Sequence, residues 1–75
     1  SSYLSHLFKE HTGIPLWKYV TLRRIQQFNL LTERGWSSEA ACYKVGFNNY
    51  SNFFRLYRKY MGMSPAQFRR NKGLF

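Results

Sequence analysis

Apolar residues recur at helical spacing along most of the chain. Leu4, Leu7, Phe8 and His11 fall on one face at i, i+3, i+4 and i+7, which predicts a helix over Ser1–Thr12. Trp17, Val20, Ile25, Phe28 and Leu31 form a second stripe. They predict a longer helix from Pro15 to Arg34, with Pro15 at its first helical position. Ser38–Val45 reads as a short third helix with Ser37 as N-cap. A fourth spans Tyr50–Met61, capped by Asn49, with Phe53, Leu56, Tyr57 and Tyr60 facing inward. Ser64-Pro65-Ala66-Gln67 combines an N-cap serine, a proline at N1 and a glutamine at N3. That pattern opens a fifth helix ending near Asn71-Lys72-Gly73. Gly13, Gly35, Gly46, Gly62 and Gly73 each follow a helical stretch, where a left-handed residue closes a helix. No strand-like alternation of useful length intervenes, so the expected class is all-α.

A repeat lies within this pattern at an offset of 49 residues. Ser2 matches Ser51, Leu4 matches Phe53, Leu7 matches Leu56, and Phe8 matches Tyr57. Lys9 matches Arg58, Gly13 matches Gly62, Ile14 matches Met63, and Tyr19 matches Phe68. The shared glycine stop, and the matches beyond it, favour duplication of one element over chance likeness between two amphipathic helices.

Composition narrows the function. The 75 residues make one small domain, and 20% of them are aromatic, which a disordered basic tail would lack. Twelve Lys+Arg stand against three acidic residues, a net charge of +9. Residues 1–37 carry 5 Lys+Arg and 2 Glu, net +3; residues 38–75 carry 7 Lys+Arg and 1 Glu, net +6. The C-terminal half is therefore the stronger candidate for facing a polyanion. Cys42 is the single cysteine, so a disulfide framework is excluded. With Glu10, Glu33 and Glu39 as the only acids, a multi-carboxylate enzyme has no support, and neither enzymatic activity nor a cofactor is expected. No apolar run approaches the roughly 20 residues of a membrane span. The opening Ser-Ser-Tyr-Leu-Ser-His has neither a charged n-region nor an apolar h-region, so a cytoplasmic chain without a signal peptide is expected.

The third helix, the Gly46-Phe47 turn and the fourth helix make a helix-turn-helix pair, with small Cys42 permitting close approach. The outward face of the fourth helix offers Ser51, Phe54, Arg55 and Arg58, flanked by Tyr50 and Asn52. A helix of this kind fits the DNA major groove. Arg55 is the first candidate base reader, because a guanidinium bonds guanine O6 and N7 together. Phe54 or Tyr50 suits a thymine methyl, while Arg58 and Lys59 are better placed for phosphate. Through the repeat, Ser2, Ser5, His6 and Lys9 correspond to Ser51, Phe54, Arg55 and Arg58 and propose a second reading helix. No room exists ahead of Ser1 for a supporting helix, so this first unit is expected to be incomplete.

Tyr3-Leu4-Ser5-His6-Leu7-Phe8-Lys9 with Thr12-Gly13 resembles the end of the first helix-turn-helix of AraC/XylS-type transcriptional regulators. Three later stretches resemble that family's C-terminal signature: Ala41-Cys42-Tyr43-Lys44-Val45-Gly46-Phe47, Asn52-Phe53-Phe54-Arg55, and Lys59-Tyr60-Met61-Gly62-Met63-Ser64-Pro65 with Phe68-Arg69. The resemblance covers essentially the whole chain. It implies two homeodomain-like helix-turn-helix units: residues 1–13 as the recognition helix of a truncated first unit, 14–35 as a long linker helix, and 36–75 as the second unit with a C-terminal helix. It also implies a bacterial regulator of transcription, commonly an activator, that binds double-stranded DNA. Its base contacts would match Ser2, Ser5, His6, Tyr50, Ser51, Phe54 and Arg55. RNA polymerase would be a further partner, and any small-molecule effector would act through a separate domain. Against the family pattern, Cys42 replaces a usual alanine, Ala41 a usual larger aliphatic, and Phe28 a usual small residue that would refill the lost volume.

Other features read more plainly. His6 and His11 are five apart with nothing to complete a site, so no metal is expected. Cys42 reads as a buried structural thiol without a charged partner. Arg24 sits within an apolar stripe, its head directed either to a phosphate or to Glu39. Trp17 and Trp36 read as core or hinge packing. The competing class is a basic amphipathic module that binds an anionic membrane or a protein without reading bases. The Gly46-Phe47 turn and the mixed aromatic and arginine face argue against a membrane.

Overall fold

Side-chain caps set where three of the helices begin. The Ser37 hydroxyl accepts from the Ala40 N–H at 3.2 Å, and Asn49 Oδ1 accepts from the Asn52 N–H at 2.8 Å. At the fifth helix the cap is reciprocal. The Gln67 N–H donates to Ser64 Oγ at 3.2 Å, and the Ser64 N–H donates to Gln67 Oε1 at 3.0 Å. This computed structural model describes residues 2–72, with the side chains of Ser2 and Lys72 outside the described set, as is Gly73. Among the described residues the elements are α1 (Ser2–Thr12), α2 (Leu16–Glu33), α3 (Ser38–Lys44), α4 (Tyr50–Met61) and α5 (Pro65–Lys72), with no strand. None of these helices is long and apolar enough to cross a membrane. Pro15 stands at the N-cap of α2 and not at its first helical position. Its extended ψ of 141° turns the chain into the helix, and its carbonyl accepts from the Lys18 and Tyr19 N–H groups, each at 3.1 Å.

The repeat is visible in the backbone. Gly13 and Gly62 share a φ of 76°, a conformation strained for any residue with a Cβ. Each closes its helix through its own N–H, to the Lys9 carbonyl at 2.7 Å and to the Arg58 carbonyl at 2.9 Å. Those two acceptors are themselves a matched pair of the repeat.

The core lies where α2, α3 and α4 meet. Ile25, Phe28, Ala41, Cys42, Phe53 and Tyr57 form one buried cluster. The Phe28 ring sits 4.6 Å from that of Phe53 and 5.5 Å from that of Tyr57. Ala41 and Cys42 are small and fully buried, which lets α3 approach closely, and Phe28 belongs to the same buried cluster. Of the inward residues expected on α4, Phe53 and Tyr57 are fully buried, while Leu56 and Tyr60 are half-buried.

One contact here escapes any single-helix pattern. The Tyr57 hydroxyl donates to Asn29 Oδ1 at 2.6 Å, joining α4 to α2. Burial pushes the Tyr57 hydroxyl up to about 12, partly offset by the Asn29 bond and by Arg69. Thr32 is buried and donates its hydroxyl to the Asn29 carbonyl at 3.0 Å. Tyr57→Phe removes the first of these bonds and is expected to lower stability by about 1 kcal/mol in urea unfolding. An unchanged midpoint would mean that the Asn29 amide loses nothing by turning to water.

Trp17 and Trp36 are not core residues: they are 62% and 39% exposed. α1 meets α2 through Phe8 and Tyr19, whose rings lie 5.0 Å apart. Trp17 precedes Tyr19 by two positions, about 200° around the helix, so it cannot share that contact. On α1, Leu7 and Phe8 are half-buried, while Leu4 is 61% exposed.

Candidate nucleic-acid interface

Packing decides which face of α4 is offered outward. Phe53 and Tyr57 hold one side against the core. Ser51, Arg55 and Arg58 follow at i, i+4 and i+7 on the other side, and all three are exposed. Phe54 is half-buried with its ring edge-on to Tyr50, centroids 6.3 Å apart. Tyr50 is also half-buried and stacks at 6.0 Å on Phe53. Tyr50 and Phe54 therefore form an aromatic wall rooted in the core, and Ser51 and Arg55 stand clear beside it. Lys59 is exposed with its ammonium 5.5 Å over the Tyr60 ring, at the far end of the helix with Arg58.

Asn52, which spacing alone left as a flank, touches the candidate reader Arg55. Its Oδ1 accepts from Arg55 Nη2 at 3.3 Å, while its N–H takes the Asn49 cap. One residue thus ties the guanidinium to the capped first turn. The available signal was an asparagine three positions before an arginine on one helix.

On α1 the expected readers are less free. Ser5 is half-buried, His6 and Lys9 are exposed, and the side chain of Ser2 lies outside the described residues. His6 Nε2 lies 3.0 Å from Glu10 Oε1, an i,i+4 pairing that places a carboxylate beside a proposed reader. Ser5, His6 and Lys9 line a shallow groove of about 420 Å³ with Pro15, Leu16 and Trp17.

The turn between α3 and α4 is locked from α2. Gly46 has a φ of 111°, and Phe47 packs its ring 4.9 Å from Phe53. The Arg24 guanidinium lies over the Phe47 ring at 5.7 Å, a contact the spacing along α2 did not suggest. A Cβ on Gly46 would stand 3.1–3.3 Å from three guanidinium atoms of Arg24, so the glycine serves both the turn and this close approach. Behind the turn, the buried Cys42 thiol is pushed up by burial and then by Glu39, one helical turn before it. Cys42 therefore does have a charged neighbour, and that neighbour's sign makes the thiol less reactive still.

The sequence pattern of the helix-turn-helix domain matches residues 1–71, nearly the full length. The chain belongs to the AraC-type helix-turn-helix family. It carries the kind of DNA-binding domain found in transcription regulators. Among curated proteins it is similar to the transcriptional regulatory protein HptR of Staphylococcus aureus strain NCTC 8325, 36% identical over 67 residues. An uncharacterized response regulatory protein of Staphylococcus epidermidis strain RP62A is 34% identical over 67 residues. Both alignments cover 89% of this chain and 27% of the relative, so the chain spans about a quarter of the length of these proteins. No solved structure matches.

Proposed function

We propose that this domain reads a specific sequence of double-stranded DNA, with α4 in the major groove and α1 as a second reading helix. The observation that carries the reading is the outward face of α4. Exposed Ser51 and Arg55 stand beside a core-anchored aromatic wall, with Arg58 and Lys59 a turn farther on. Rigid support from the core favours precise base contact. In this reading Arg55 addresses guanine, Ser51 a base edge, and Phe54 with Tyr50 a thymine methyl. Ser2, Ser5 and His6 would read from α1, and Lys9, Arg58 and Lys59 would hold phosphates. The long axis of 40 Å gives room for two helices in successive major-groove segments, about 34 Å apart.

By family and by the names of its relatives, the domain would serve a bacterial transcription regulator in the cytoplasm. Contact with RNA polymerase, and any effector sensing outside these residues, belong to the same proposal. The deciding experiment is selection of random duplex DNA by the chain at near-physiological salt. An enriched motif with two blocks about one turn apart supports both reading helices. Enrichment of a single block assigns reading to α4 alone, and salt-sensitive binding without enrichment overturns the reading.

Arg58→Ala should weaken binding to all duplexes alike and reduce the slope of log affinity against log salt by about 1. An unchanged slope would remove Arg58 from the phosphate contacts.

A further inference from the structure

We propose that the groove between α2 and α3 is a docking site for an acidic amphipathic helix of another protein. The groove holds about 510 Å³. Val20, Leu31 and Val45, all half-buried, supply its apolar surface. Arg23, Arg24 and Lys44, all exposed, supply positive charge around it. No carboxylate is among the described residues that line it. Two of the three cationic heads are already placed: Arg24 lies over Phe47, and Arg23 donates to Gln26 Oε1 at 3.1 Å. Pre-placed heads lower the ordering cost of binding.

Charge complementarity selects the occupant. An apolar floor ringed by guanidinium and ammonium groups matches a helix with leucine-like side chains on one face and carboxylates along its flanks. Arginine adds directed bonds, because its fork pairs a carboxylate through two N–H groups. Duplex DNA meets only half of this demand. Its phosphates match the cations, yet they bring no apolar side chain to the floor. None of the α4 residues proposed to read bases lines the groove, so base reading by α4 does not itself occupy it.

The test uses the full chain, isotope-labelled for amide NMR, and a synthetic helical peptide with leucines at i, i+3, i+4 and i+7 flanked by glutamates. Shifts are expected at Val20, Leu31 and Val45. Scrambling the peptide, or replacing its glutamates by glutamine, should weaken binding about tenfold or more. The pair Arg23→Glu and Lys44→Glu should lose the acidic peptide and gain one whose glutamates are changed to lysine, a swap that a misfolded chain could not make. Equal binding of the scrambled peptide overturns the proposal, as do shifts centred on Ser51 and Arg55, or none at millimolar peptide. A short random duplex that shifts Val20, Leu31 and Val45 and displaces the peptide would give the groove to DNA instead. These readouts report on the groove directly, so they stand apart from success or failure of base reading by α4.

Discussion

Arg55→Ala is expected to cost roughly 1–3 kcal/mol of binding and to relax preference at one base position. The side chain is exposed on the face of α4 opposite Phe53 and Tyr57, so its loss leaves the core intact. Asn52 tethers the guanidinium at 3.3 Å, which restricts the directions it can address. Parallel selections with the parent and the variant separate base reading from simple attraction. Equal loss on every sequence would reassign Arg55 to the DNA backbone. Asn52→Ala should move the same base preference by a smaller amount, because it frees the guanidinium without removing it.

Phe28→Ala carries the largest expected effect on stability, about 3–5 kcal/mol. The ring is 1% exposed and touches both Phe53 and Tyr57, so its removal opens a cavity at the junction of α2 and α4. Domains are stable by only about 0.05–0.15 kcal/mol per residue, which makes such a loss a large share of the total for a 75-residue chain. Thermal unfolding by far-ultraviolet circular dichroism should show a midpoint lowered by well over 10 °C, or no cooperative transition. A shift of a degree or two would mean that α3 closes onto the vacated space, with Ala41 and Cys42 small enough to allow it.

Which of these features a sequence can announce follows from how far each contact reaches. Helix starts were legible because the caps at Ser37, Asn49 and Ser64 act within three residues. Burial of Phe53 and Tyr57, and with it the outward face of α4, followed from spacing. The His6–Glu10 pair was within reach of the same reasoning at i,i+4. Trp17 misled because an apolar residue at helical spacing says nothing of where the neighbouring helix stops. α1 reaches Tyr19, and the opposite side of that turn is left to solvent. The Asn29–Tyr57 bond spans 28 positions and depends on the rotation of α2 about its axis, which only tertiary packing sets. Arg24 is similar: its guanidinium lies over a ring of the α3–α4 turn, more than twenty positions along the chain.

The surface position of both tryptophans gives the domain two separate optical channels. Trp17 adjoins Ser5, His6 and Lys9, and Trp36 lies between α2 and α3, each open to solvent. Trp17, at 62% exposed against 39% for Trp36, is the one whose emission should depend less on the core. Contact of a nucleic acid with the α1 side would quench or shift Trp17 directly. The buried rings of Phe28, Phe53 and Tyr57 instead report folding through near-ultraviolet dichroism. Integrity can therefore be followed by dichroism on the free protein, and occupancy by Trp17 fluorescence once nucleic acid is added.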